Sequence, residues 1–269
     1  RPRRFGKSLT VSTLKAVFQG KKELFKGLAI YDKPYDWKQY PVIHLDMNGL
    51  DFSSVEELES SLCDLVTEAA ASHELRLESA HAASMFRALI KAFESKERFV
   101  FVTGVSKFCH VSLFSDLNNL TDISMHRDYA TMFGYTQEEF ETYFADRIDS
   151  ACKQLNMPCE ELLPEIKQWY DGYRFHAKAE SVYNPVSLAQ FFMNDAEFNN
   201  YWFSTGTPSF LVELTKKADF NFEKTLSEPV MGLAFNAFEI DKIDPLALLL
   251  QTGYLTIKSS FVDLGETLY

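Results

Sequence analysis

The chain opens Arg1-Pro-Arg-Arg-Phe-Gly-Lys-Ser8, and residues of helical spacing follow at once, so Gly6-Lys7-Ser8 stands as the back half of a phosphate-binding loop. Each residue type has a use against a polyphosphate. Gly6 has no Cβ and lets the backbone come close to oxygen atoms. Lys7 brings a point charge to the β and γ phosphates, and Ser8 offers a hydroxyl to Mg²⁺. Leu9 to Phe18 then forms a helix whose first N–H groups and dipole face the anion. The expected nucleotide contacts run from Arg4 and Phe5 through Gly6, Lys7 and Ser8 to Leu9. The full motif G-x-x-x-x-G-K-[ST] asks for a glycine where Arg1 stands, and its leading strand is not in this chain. The bland alternative is a helix start carrying an ordinary surface lysine. Arg1, Arg3 and Arg4, crowded before the tripeptide, favour the anion.

With 269 residues and 46% hydrophobic content the chain can bury a substantial core. The formal net charge of −11 argues against a broad basic surface, so nucleic-acid binding is not supported. Cys63, Cys109, Cys152 and Cys159 show no C-x-x-C spacing and read as reduced thiols of a cytoplasmic protein, neither disulfides nor zinc ligands. The histidines lack i, i+4 pairing, which speaks against a histidine metal site. No apolar run approaches the ~20 residues that span a bilayer, so no membrane association is expected.

Val11, Leu14, Val17 and Phe18 recur at spacings of three and four, and Gly20 supplies a stop. A small helical piece, Lys21 to Phe25, comes next. Pro41-Val-Ile-His-Leu-Asp46 reads as a buried strand ending in a carboxylate. Ser53 or Ser54 caps a helix over Val55 to Ala71, and a further helix covers Ala82 to Glu94. Arg98-Phe-Val-Phe-Val-Thr-Gly104 is the best strand pattern. Strand, helix, strand order predicts a parallel α/β sheet, with Asp46 and Thr103 at carboxyl ends of strands, where such sheets bind ligands. From Thr136 the spacing predicts helices over Gln137 to Leu155, Cys159 to Tyr170, Pro185 to Phe192 and Ser209 to Lys217, then a strand at Gly253 to Ser259. The expected division is a core over 1–135 and a helical lid over 136–269.

Arg1 to Ser8, Tyr40 to Asp46 and Phe101-Val-Thr-Gly-Val-Ser-Lys-Phe108, in that order, resemble the AAA-ATPase-like proteins of bacteria. Leu117 to Ile123, Trp169-Tyr-Asp-Gly-Tyr-Arg-Phe175, Tyr183-Asn-Pro-Val-Ser187, Trp202 to Gly206 and Gln251 to Leu255 extend the resemblance over nearly the whole chain. It implies a P-loop NTPase-like parallel sheet core with a mainly α-helical extension, ATP and Mg²⁺ as ligands, and in fuller relatives a following PD-(D/E)XK nuclease-like domain. No carboxylate and lysine motif of that kind is visible here. The family also carries an acidic strand, ending Asp-Glu, before the Phe-Val-Phe-Val-Thr-Gly strand. Here Phe86 to Phe93 runs almost directly into Arg98 to Thr103, leaving no room for it.

The remaining candidates have two readings each. Asp46 is a metal ligand or a turn cap; Thr103 senses a γ-phosphate or ends a strand. Lys107 and Arg174 contact phosphate or lie solvated at the surface. Trp169, Tyr170, Tyr173 and Phe175 form a packed turn or a stacking platform, and Asn118, Asn119 and Asp122 cap a turn. The sequence therefore predicts an ATP-binding protein whose hydrolysis is weak or absent. The alternative is a non-catalytic scaffold whose helical lid binds a protein partner.

Overall fold

Thr136 shows how directly the sequence fixes its helices. Its hydroxyl accepts from the Glu139 N–H at 3.2 Å while Glu139 Oε2 accepts from the Thr136 N–H at 3.0 Å, a reciprocal cap that starts a helix. The computed structural model describes residues 1–51, 53–77, 81–93, 99–105, 120–202, 229–232, 245–263 and 266–269. Among them are helices α1 (Lys7–Phe18), α2 (Val55–Ala71), α3 (Ala82–Phe93), α4 (Gln137–Tyr143), α5 (Ala145–Leu155), α6 (Cys159–Tyr170), α7 (Pro185–Met193) and α8 (Pro245–Thr252). Strands β1 (Phe261–Asp263) and β2 (Glu266–Leu268) pair antiparallel, with Val262 opposite Thr267.

The expected parallel sheet is not there. Among the described residues the β1–β2 hairpin is the whole of the sheet structure, and neither 41–46 nor 99–104 is a strand. The fold is mostly helical. An apolar run reports burial, whereas a strand also needs a lateral partner for its N–H and C=O groups. The sequence leaves no room for an acidic strand between them, and neither run has a strand neighbour among the described residues. Ile43 and Leu45 are still packed, against Val66, Ala70, Met85 and Leu89 of α2 and α3. The strand expected at Gly253 to Ser259 is also absent; β1 begins two residues later. Arg98, Lys107, Asn118, Asn119 and the helix expected at Ser209 to Lys217 lie outside the described residues.

The chain forms two compact units. One comprises Ser8–Val102 and His110–Leu120; the other comprises Arg1–Lys7, Thr103–Cys109 and Thr121–Tyr269. In the first, α2 packs on α3, and Ser54 caps α2 by accepting from the Glu57 N–H at 3.1 Å. The Glu59 carboxylate accepts from the Ala82 N–H at 2.7 Å at the start of α3.

The second unit has the larger core: Phe140, Leu162, Ile166, Tyr183, Leu188 and Phe191 are all fully buried. The single helix expected over Gln137 to Leu155 is two. Phe144 leaves the helical path at φ −110°, ψ 11°, and its ring packs on Tyr135 at 5.1 Å and on Phe140 and Phe192 at 5.7 Å. Cys152 and Cys159 form a disulfide across the turn between α5 and α6, with Cα atoms 5.6 Å apart. This corrects the reading of both as free thiols. Asn156 at φ 50°, ψ 42° reverses the chain between them, a proximity that no C-x-x-C spacing would signal.

Candidate functional site

Arg1 to Lys7 is seated on the helical unit by a series of side-chain anchors. The ring of Phe5 is 1% exposed and meets Tyr173 at 4.7 Å and Phe175 at 5.4 Å, edge to face in both cases. The Arg1 guanidinium lies 4.0 Å above Phe175 and donates to the carbonyls of Ser124 and of Tyr129. Burial lowers its pKa to about 10, against the opposing charge of Asp122. Arg4 Nη1 donates to the Tyr201 carbonyl. Pro2 is buried beside Gly253, where a Cβ would come within 2.8 Å of Pro2 Cβ.

The backbone of the loop turns sharply on this seat. Arg4 has φ 68° and Gly6 φ 78°, so the chain turns twice through the left-handed region before α1 begins at Lys7. A Cβ on Gly6 would meet nothing within 4 Å. Lys7 Nζ donates to the carbonyls of Arg1 at 3.0 Å and Pro2 at 2.5 Å. The ammonium is half-buried, and desolvation, then the charge of Arg3, brings its pKa down from 10.5 to about 8. A cation short of hydration and beside a second cation is stabilised by an arriving anion.

Ser8 opens the other unit as an exposed residue of α1, and Leu9 is 71% exposed. Thr103 belongs to the unit of Arg1–Lys7 and is exposed. Asp46 belongs to the unit of Ser8, where its Oδ1 accepts from the Asn48 N–H at 3.0 Å and from Asn48 Nδ2 at 2.7 Å. Arg174 donates to the Lys258 carbonyl at 3.0 Å. Among the described residues no group of three or more His, Cys, Asp or Glu could hold a metal ion. Of the residues expected to contact a nucleotide, Gly6 and Lys7 could meet phosphate, and the Ser8 hydroxyl could reach a metal ion only as a lone protein ligand.

Beside the loop is a cavity of about 290 Å³ walled by Tyr173, Tyr201, Trp202 and Tyr254 among others. Two polar residues of its wall come from the segments Trp169 to Phe175 and Tyr183 to Ser187. Asn184 is 1% exposed and caps α7, its Oδ1 accepting from Val186 N–H at 3.1 Å and Ser187 N–H at 3.0 Å. The Asp171 side chain is 6% exposed; its Oδ2 accepts from Ser181 Oγ at 2.7 Å and lies 3.8 Å from Lys167 Nζ. Asn184 Nδ2 and Asp171 Oδ1 have no hydrogen-bond partner. Sequence spacing sees the turn around Asp171 but not that Asn184 stands beside it; the signal was the pair of motifs themselves.

Residues 1–98 match the family described as Predicted AAA-ATPase. The chain is 34% identical over 307 aligned positions to an uncharacterized protein in the vnfD 5' region of Azotobacter chroococcum mcd 1, covering 96% of this chain and 56% of that protein. The chain thus spans about half the length of the curated relative it matches. The alignment of 307 positions exceeds the 269 residues here by 38, so the relative carries at least that many residues within the matched span that this chain lacks. No solved structure matches the chain. No helix among the described residues is long and apolar enough to cross a membrane.

Proposed function

We propose that this chain, whose residues 1–98 match a predicted AAA-ATPase family, binds ATP with Mg²⁺ and hydrolyses it slowly or not at all. The observation that carries the proposal is Lys7, a desolvated ammonium held on the carbonyls of Arg1 and Pro2 next to the left-handed turn at Gly6. In the proposed complex Gly6 and Lys7 take the β and γ phosphates, Ser8 supplies a hydroxyl to Mg²⁺, and Arg4, Phe5 and Leu9 complete the loop. Thr103 is the proposed γ-phosphate contact, and Asp46 a second, weaker metal ligand. Mg²⁺ neutralises phosphate charge when bound.

Slow turnover follows from what the sequence omits. Phosphoryl transfer needs positioned charge and an oriented nucleophile, and removing the water-orienting acid costs orders of magnitude in rate while phosphate contacts persist. The acidic strand has no room between Phe93 and Arg98, and the Azotobacter relative carries residues within the matched span that this chain lacks. Steady-state hydrolysis with wild type and Lys7→Ala tests this. Turnover at a rate ordinary for ATPases that Lys7→Ala abolishes would contradict it.

The lack of a parallel sheet among the described residues favours one other reading, a non-catalytic scaffold whose helical unit binds a protein partner. The absence of any thermal shift or binding heat with millimolar Mg·ATP would select it.

A further inference from the structure

We propose that the cavity bounded by Tyr173, Tyr201, Trp202 and Tyr254 is a nucleoside subsite, taking the base and sugar of the nucleotide whose phosphates contact Gly6 and Lys7. The inference rests on the proposed nucleotide binding and adds where the other half of the ligand goes. Three walls of the cavity are also the three seats of the loop: Tyr173 under Phe5, Tyr201 under Arg4 and Gly253 under Pro2. Residues Arg1 to Lys7 and the cavity are therefore joined within a single unit. A volume of about 290 Å³ is at the lower edge of the roughly 300–1,000 Å³ usual for small-molecule sites. That suits a nucleoside better than a whole nucleotide.

The lining chemistry fits a base. Aromatic side chains offer faces on which a heterocycle stacks, Trp202 and Tyr254 standing edge to face at 4.7 Å. Asp171 Oδ1 is an acceptor and Asn184 Nδ2 a donor, both withdrawn from water and without partners. Burying such groups unpaired is costly, and the Watson–Crick edge of a base presents a donor next to an acceptor. Asp171 Oδ2 is taken by Ser181, so the carboxylate has a single oxygen to give. Aromatic rings with a carboxylate would also suit an organic cation, but the neighbouring charges oppose one. Arg4 is bonded at Tyr201, and Arg3 is close enough to Tyr254 to lower its hydroxyl pKa against the larger effect of burial.

The test compares ATP, inorganic tripolyphosphate and adenosine by calorimetry in the presence of Mg²⁺, with Asp171→Asn, Asn184→Asp and Tyr254→Leu. Asp171→Asn keeps an oxygen for Ser181 and replaces the acceptor, and Asn184→Asp keeps the α7 cap and replaces the donor. Tyr254→Leu removes a ring from a more exposed wall, so at least one variant remains folded, which thermal melting verifies. Wild type is expected to bind ATP at least about tenfold tighter than tripolyphosphate, the scale of one stacked base. The folded variants should lose that difference with tripolyphosphate affinity unchanged. Equal wild-type affinity for ATP and tripolyphosphate, or a preference that survives in the variants, overturns the subsite. If tripolyphosphate fails to bind, the phosphate-loop proposal falls instead. Adenosine then decides the cavity alone: binding that the variants weaken upholds it, and no binding overturns it.

Discussion

The edge-to-face contact of Phe5 with Tyr173, at 4.7 Å, ties the residue before Gly6 to the aromatic turn that follows α6. The loop proposed to hold phosphate is thereby set by the packing of a distant helical segment. Phe5→Ala should cost about 3 kcal/mol of stability, the usual range for a fully buried phenylalanine being ~3–5. It should also weaken Mg·ATP binding, because the turn through Arg4 and Gly6 loses its anchor. Phe5→Leu should keep most of both. Denaturant titration and calorimetry on the same samples check this; unchanged binding in a destabilised Phe5→Ala protein would separate anchor from loop.

Lys7 gives a pH dependence of definite sign. Its pKa of about 8 lies below the ordinary 10.5, so between these values the unfolded chain binds the additional proton and stability from this group rises with pH. Anion binding acts in the opposite direction. It favours the ammonium, so Mg·ATP affinity should hold below about pH 8 and fall as pH rises through it. Isothermal titrations at pH 7 and pH 9, each in two buffers of different ionisation enthalpy, should reveal proton uptake on binding at the higher pH. Lys7→Arg should remove the fall, since a guanidinium stays charged throughout.

Gly253 has φ 87° and sits against Pro2, so Gly253→Ala combines an unfavourable backbone with a contact of 2.8 Å. A loss of about 1–3 kcal/mol is expected, the range for strained backbone. Because Gly253 also borders the cavity, thermal melts should drop together with ATP affinity. A stable variant of unchanged affinity would mean that the Pro2 contact does not position the loop.

Reduction of the Cys152–Cys159 disulfide, which closes a short loop between α5 and α6, should destabilise the second unit by about 2 kcal/mol by the chain-entropy estimate. Nucleotide affinity should be unaffected at temperatures well below the melt. Paired thermal scans with and without reductant measure the first, and titration under reducing conditions the second.

Local signals were legible and lateral ones were not. Val55–Ala71 and Cys159–Tyr170 have the bounds that periodicity and caps assign, because helix hydrogen bonds close within the segment itself. The apolar runs at 41–46 and 99–104 read as strands, yet a strand is completed by its neighbours, and neither run has one among the described residues. Gly6 and Lys7 were visible as a motif. That Phe5 packs on Tyr173, that Arg1 fills in over Phe175, and that Asn184 joins Asp171 in one cavity wall are contacts over long sequence separations, which no spacing rule encodes. The disulfide joins cysteines seven residues apart, and the turn through Asn156 that brings them together has no spacing signature.

Calorimetric titration of Mg·ATP into wild type and Lys7→Ala, at pH 7 and low ionic strength, measures whether the loop holds nucleotide through Lys7. Saturable binding to wild type, weakened at least about tenfold by Lys7→Ala, is predicted, since a charge-assisted contact of ~1.5–3 kcal/mol is lost. No binding to wild type at millimolar nucleotide, or equal affinity in the two proteins, would contradict it.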